Sequence, residues 1–153
     1  MFRIEEVIDM AVRFEENAAH IYTEALAQID APGMRQVLAE MIAEEREHAA
    51  WFGDLRRRLA DPDVNPIERA LNREMLGEMI GDQSFSLREV DFEALDGVEP
   101  LIDVLIEFEK DTILFYEMLQ AFLPGPDARA HLEGIIAEEK RHITRLAAMR
   151  PDP

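Results

Sequence analysis

Apolar residues recur every three or four positions through most of the chain, which is the spacing of one face of an α-helix. No stretch alternates with a period of two, so strands are not expected. Proline and glycine gather at three places, which separate four long helical patterns. The predicted helices span residues 3–29, 33–59, 98–123 and 127–149. The pattern therefore predicts an all-α fold built on a four-helix bundle.

The connections between these helices differ in length. Asp30-Ala31-Pro32 and Pro124-Gly125-Pro126 are short, and short connections join antiparallel neighbours. The resulting hairpins are residues 3–59 and 98–149. The middle connection, residues 60–97, contains a predicted short helix at 66–80 and is long enough to cross the bundle.

The two hairpins are related by an internal duplication with an offset of 94 residues. Matching segments include Ile42-Ala43-Glu44-Glu45 with His48, and Ile136-Ala137-Glu138-Glu139 with His142. Only two units are present, so the duplication predicts a pseudo-twofold domain and not a solenoid.

Six polar residues interrupt the apolar core stripes of the four helices. They are Glu15, Glu45, His48, Glu109, Glu139 and His142. Glu15 and Glu45 flank the first turn at equal distances, and so lie level in an antiparallel hairpin. Glu109 and Glu139 do the same around the second turn. Each glutamate is about 15 residues, or about 22 Å, from its turn, so all four are expected near the middle of the bundle.

Four carboxylates in an apolar interior would repel one another unless cations neutralised them, and two divalent ions would balance their charge. One glutamate from each of two helices, with a Glu-x-x-His pair from each of the other two, is the ligand arrangement of di-iron and di-manganese carboxylate bundles. We therefore expect two iron ions per chain, with manganese or zinc as substitutes. The alternative is a solvated charged face on a metal-free structural bundle.

Four segments carry these residues: Phe14-Glu15-Glu16-Asn17-Ala18 with Tyr22, Glu44-Glu45-Arg46-Glu47-His48, Phe108-Glu109-Lys110-Asp111 with Phe115-Tyr116, and Glu138-Glu139-Lys140-Arg141-His142. They resemble the rubrerythrin branch of the ferritin-like superfamily, over both hairpins. The resemblance implies that Glu45 and Glu139 bridge two metal ions. It assigns Glu15 and His48 to one ion, and Glu109 and His142 to the other.

The favoured hypothesis is a non-haem di-iron oxidoreductase of rubrerythrin type, a peroxidase or ferroxidase that reduces H2O2 or O2 with oxidation of Fe(II). An iron-storage ferritin-like protein with a ferroxidase centre is the main alternative. A homodimer or larger homo-oligomer is expected in either case.

The chain departs from rubrerythrins at two points. It has no cysteine, so it lacks the rubredoxin module, and electrons must come from an external donor such as a rubredoxin-like protein or a reductase. Thr112 stands where rubrerythrins carry a further ligand glutamate, one turn after Glu109. The remaining ligand set is closer to that of bacterioferritin.

Tyr22 and Tyr116 lie seven residues after Glu15 and Glu109, on the same helix face. Their phenols could support a ligand carboxylate by a hydrogen bond or supply an electron, and ordinary core packing is the alternative.

Other polar residues carry weaker signals. Asp9 and Asp103 recur in both halves, and either orient a ligand imidazole or lie at the surface. His20 and His131 have no counterpart at the offset of 94 residues, so they are interpreted as incidental.

Composition narrows the function further. The length of 153 residues suits a single domain over 1–153, and the net charge of −17 argues against nucleic acid or an anionic membrane as a partner. The absence of cysteine excludes Fe–S clusters, and no methionine pair predicts haem. The acidic amphipathic start has no signal-peptide core, so a cytoplasmic location is expected.

Overall fold

A computed structural model of the chain describes residues 3–60, 63, 65–84, 95 and 97–150. Its helices are α1 (Ile4–Ala27), α2 (Pro32–Leu59), α3 (Pro66–Ser84), α4 (Val98–Phe122) and α5 (Pro126–Ala148). None of the described residues lies in a strand, which confirms the all-α prediction. The four long helices begin and end within two residues of the predicted bounds.

The bundle consists of two hairpins packed side by side. α1 pairs with α2 and α4 pairs with α5, while α1 also packs against α4 and α2 against α5. α3 belongs to the crossover and packs mainly against α1. It continues to Ser84 through a Gly-Asp-Gln-Ser sequence that we predicted as loop, because intrinsic helix propensity is only a weak guide to where a helix ends. Most of the predicted crossover between 85 and 97 lies outside the described residues.

The turn of each hairpin is fixed by an arginine at equivalent positions of the duplication. Arg35 Nη1 donates hydrogen bonds to the carbonyl oxygens of Leu26 (2.6 Å) and Ile29 (2.8 Å) at the end of α1. Arg129 Nη1 donates to the carbonyl oxygen of Leu123 (3.4 Å) just after α4. These bonds add side-chain donors to carbonyl groups at the helix ends, so an equivalent arginine supports the turn of each hairpin.

The two hairpins differ because α3 packs over the first hairpin, at its outer end, which is the end away from its turn. Asp9 is buried, and it pairs with Arg56 and with Arg73 of α3, whose Nε lies 2.9 Å from its Oδ2. Its counterpart Asp103 pairs with Arg150 but has a side chain that is 55% exposed. Among the described residues both aspartates pair with arginines and not with an imidazole, and the predicted surface position holds for Asp103 but is wrong for Asp9.

The described helices have no segment that is both long enough and apolar enough to cross a membrane.

Gly125 provides a test of the second turn. Its φ of +89° is one that side chains with a Cβ rarely adopt, so we expect Gly125→Ala to lower the free energy of unfolding by about 1 to 3 kcal/mol. Gly134 is an exposed residue inside α5 with nothing near its missing Cβ, so Gly134→Ala is the control and should raise stability by about 0.5 to 1 kcal/mol. Urea unfolding of the full chain measures both changes, and equal effects would contradict the assignment of strain to Gly125.

Candidate metal centre

The six polar residues of the core stripes lie together inside the bundle. α1 and α4 each contribute one carboxylate, and α2 and α5 each contribute a Glu-x-x-His pair. The four carboxylates and His142 have no exposed surface, and His48 is 5% exposed: the set is Glu15, Glu45, His48, Glu109, Glu139 and His142. The structure thus excludes a solvated charged face at these positions.

Their ligand atoms form two overlapping groups. One contains Glu15, Glu45, His48 and Glu139, and the other contains Glu45, Glu109, Glu139 and His142. Within each group, one potential ligand atom from every residue lies within 4.8 Å of the others. Glu45 and Glu139 belong to both groups, which is the position that two bridging carboxylates would need.

Both imidazoles turn Nδ1 toward the carboxylates. His48 Nδ1 lies 2.9 Å from Glu139 Oε1 and 3.5 Å from Glu15 Oε1. His142 Nδ1 lies 2.8 Å from Glu45 Oε1 and 3.4 Å from Glu109 Oε1. The two ring centroids are 6.5 Å apart, so each imidazole serves a different side of the cluster.

The outer nitrogen of each imidazole is held by a glutamate of the opposite hairpin. His48 Nε2 contacts Glu138 Oε2, and His142 Nε2 lies 2.6 Å from Glu44 Oε2. Such contacts fix the orientation and tautomer of a ligand histidine. The sequence patterns did not lead us to assign a role to Glu44 or Glu138. Each directly precedes a candidate ligand glutamate, and the Glu-Glu pair recurs at the offset of 94 residues.

The buried tyrosines also act across the two hairpins. The Tyr22 hydroxyl donates a hydrogen bond to Glu109 Oε1, and the Tyr116 hydroxyl donates to Glu15 Oε1. Burial raises the pKa of both phenols, and the nearby carboxylate charges raise it further, so both remain protonated donors. The interpretation as hydrogen-bond donors to the cluster is thus favoured over packing alone, with each tyrosine serving the opposite hairpin.

Burial and the proximity of like charges both raise the pKa of carboxylates in the cluster. Burial raises the pKa of Glu45 above its ordinary value, and the charges of Glu15 and Glu139 add to this effect. Burial likewise raises the pKa of Glu109, and Glu139 adds to this effect. Protonation therefore relieves part of the repulsion among the carboxylates.

The histidines respond in the opposite direction. Burial by itself lowers the pKa of His48, but hydrogen bonds and charges from Glu139 and Glu15 outweigh it and raise the pKa to about 11. The same balance, with Glu109 and Glu139, raises the pKa of His142 to about 10. Two imidazolium ions thus neutralise part of the cluster charge at neutral pH.

The donor set fits two divalent cations. Glu15 Oε2, Glu45 Oε2 and Glu109 Oε2 are buried and accept no hydrogen bond from the described residues. Buried carboxylate oxygens without a donor are costly, and metal coordination would satisfy them. Hard oxygen donors with one imidazole for each ion suit iron or manganese.

The family model for rubrerythrin matches residues 6–150. The chain belongs to the rubrerythrin family. This rubrerythrin-family chain also resembles the crystal structure of a candidate ferritin-like diiron-carboxylate protein from Thermotoga maritima, with 24% identity and a TM-score of 0.69. The match covers 97% of this chain and 94% of that protein, which confirms the ferritin-like fold. No curated protein matches the chain.

Within this rubrerythrin-family site, Thr112 offers no additional ligand. Its side chain is buried, and its hydroxyl donates to the carbonyl oxygen of Phe108 at 2.9 Å. His20 is exposed and lies 3.8 Å from Glu24. His131 stacks on Trp51 with ring centroids 4.2 Å apart. None of these side chains belongs to the two groups of potential ligands.

We expect removal of the outer glutamates to weaken metal binding in this rubrerythrin-family protein. Glu138→Ala and Glu44→Ala each leave one imidazole without its outer contact, and the expected loss of affinity is about tenfold. Glu47→Ala removes an exposed carboxylate from the same helix as Glu44 and is the control. Competitive titration with a chromophoric chelator measures the affinities, and equal effects of all three substitutions would contradict this assignment.

The raised pKa values predict that metal binding releases protons at pH 8. Ordinary imidazole and carboxyl groups have already lost theirs at this pH, whereas His48 and His142 retain them. A metal requires the neutral imidazole, so apparent affinity should still rise with pH above 8. An indicator dye in weak buffer measures the acidification when Mn(II) is added. Loading without proton release would show that the histidines are neutral before metal binds.

Proposed function

We propose that the chain is a non-haem di-iron oxidoreductase of rubrerythrin type, which reduces H2O2 or O2 as Fe(II) is oxidised. The observation that carries the proposal is the pair of buried four-residue groups that share Glu45 and Glu139. Two adjacent metal sites that share two carboxylates suit a reaction in which two Fe(II) ions together deliver two electrons to one oxidant molecule. The family of the chain supports this reaction class.

Each metal ion would have two ligand residues of its own, and Glu45 and Glu139 would be shared between the two ions. Glu15 with His48 would serve one ion, and Glu109 with His142 the other. Two bound iron ions would supply the electrons for reduction of the oxidant. The protein would keep these ions close together by holding all the ligands in a single apolar core.

The surrounding side chains orient the ligands and limit water. Tyr22 and Tyr116 donate hydrogen bonds that restrict rotation of the two terminal carboxylates. Phe52 packs against Tyr116 with ring centroids 5.1 Å apart, and Phe14 and Phe108, which directly precede Glu15 and Glu109 in the sequence, are buried in the same hydrophobic core. The apolar surroundings strengthen the electrostatic interactions within the cluster.

Electrons for a further turnover would come from a separate protein. The chain has no cysteine with which to hold an iron–sulfur or rubredoxin-type centre. A rubredoxin-like protein or a reductase is the kind of donor that fits, and we place the pair in the cytoplasm.

The first test is the metal content of protein purified without chelators. We expect about two iron or manganese ions per chain, and loss of both in Glu45→Ala/Glu139→Ala, because each substitution removes a shared ligand. Glu47→Ala/Glu133→Ala removes the same charge from exposed positions of the same two helices and should retain the metal. Protein that takes up no metal even after anaerobic addition of Fe(II) would contradict the proposal.

Turnover of the loaded protein separates the possible reactions. Repeated consumption of H2O2 with an added reductant would support the oxidoreductase. Storage would instead give many more irons per chain and a closed shell by size measurement, which would favour the iron-storage alternative.

A further inference from the structure

An open cleft between α1 and α2 reaches the wall of the candidate metal centre. It has a volume of about 500 Å³ and is lined by Glu15, Glu16, Ala19, His20, Thr23, Arg46 and Ala49. Glu15 has no exposed surface, and its Oε2 accepts no hydrogen bond from the described residues. The cleft therefore ends against a residue of the candidate ligand set, which is itself closed off from solvent.

Two alanines leave room for this cleft. Ala19 lies on α1 and Ala49 on α2, so the helices present only methyl groups at this level. The internal duplication supplies a comparison within the same chain, because the equivalent residues of the second hairpin are Ile113 and Ile143. Ile113 is 7% exposed, and Ile143 is partly buried against the core. Bulkier side chains thus occupy the corresponding space above Glu109.

The residues at the mouth of the cleft also differ between the two hairpins. Glu16 and His20 are exposed on the cleft wall, and Glu24 lies 3.8 Å from His20. Carboxylate and imidazole groups are ligands for divalent metal ions. The equivalent residues of the second hairpin are Lys110, Leu114 and Met118. Leu114 is 65% exposed and Met118 50%, so that surface offers a cation and apolar side chains instead.

An ion pair crosses the second hairpin at the level of the cleft in the first hairpin. Lys140 Nζ lies 3.9 Å from Glu117 Oε1, joining α5 to α4. The equivalent residues in the first hairpin are Arg46 and Thr23, and a threonine cannot form such a pair. Size, charge and cross-helix contacts therefore all distinguish the two hairpins at the same level.

We infer that divalent metal ions reach the centre from the first hairpin only, through the cleft between Ala19 and Ala49, with Glu16 and His20 as transient ligands at its mouth. This inference rests on the proposed di-metal site. The pseudo-twofold centre is thus loaded from one side.

Closing the cleft should slow loading without changing capacity. Ala19→Ile/Ala49→Ile gives the first hairpin the side chains that the second already has. We expect Co(II) uptake by the metal-free full chain, followed by stopped-flow absorbance, to slow about tenfold, the effect of a modest increase in the barrier. The number of Co(II) bound at equilibrium should stay equal to that of the unaltered protein.

A second variant changes the mouth and leaves the core intact. Glu16→Lys/His20→Leu introduces the residues of the second hairpin at exposed positions, and should slow Co(II) uptake by about tenfold at low salt through lost attraction of the cation. Lys110→Glu/Leu114→His makes the reverse change on the second hairpin. It should leave the rate unchanged, because Ile113 and Ile143 still close the space below.

The outcomes distinguish a failure of the proposed entry route from a failure of the proposed di-metal site. Unchanged uptake in both first-hairpin variants would overturn the route, as would faster uptake in Lys110→Glu/Leu114→His. Absence of Co(II) binding by the unaltered protein at equilibrium would overturn the di-metal site itself. Slower uptake at full capacity in the first-hairpin variants alone supports the route.

Discussion

Burial of four carboxylates at one level of a helical bundle is the constraint on which the rest of the structure depends. Unpaired negative charges in an apolar interior are unstable, so the surrounding residues must supply positive charge, protons or hydrogen bonds. Here His48 and His142 supply charge, Glu45 and Glu109 gain protons more readily, and the tyrosines donate hydrogen bonds. Two divalent cations would satisfy the same requirement at once, which links the energetics of the core to the proposed function.

Each hairpin supplies side chains that contact candidate ligands of the other hairpin. Tyr22 of the first hairpin donates to Glu109 of the second, and Glu44 of the first holds His142. Tyr116 and Glu138 of the second hairpin make the equivalent contacts to Glu15 and His48 of the first. Contacts within each hairpin, such as His48 with Glu15, are supplemented by these contacts from the other hairpin, so the full set of contacts forms only when the two hairpins pack together. Packing of the bundle and preorganisation of the centre are therefore the same event.

Departures from the twofold relation locate features that the shared chemistry does not need. α3 covers the outer end of the first hairpin and buries Asp9, whereas Asp103 stays exposed. Ala19 and Ala49 leave a cleft where the second hairpin carries isoleucines. The candidate ligands are the same residue types in both halves, so these differences concern access to the cluster and its cover and not the set of donor groups.

The sequence by itself determined the helices, their antiparallel pairing and the six polar residues of the core, because helical spacing and the equal distances from each turn specify which side chains lie level. It also placed Tyr22 and Tyr116 on the correct face. Only the tertiary structure decided that these tyrosines and the outer glutamates serve the opposite hairpin, and that Ala19 borders a cleft. Contacts between hairpins depend on how the bundle is packed, and no spacing along a single helix records that packing.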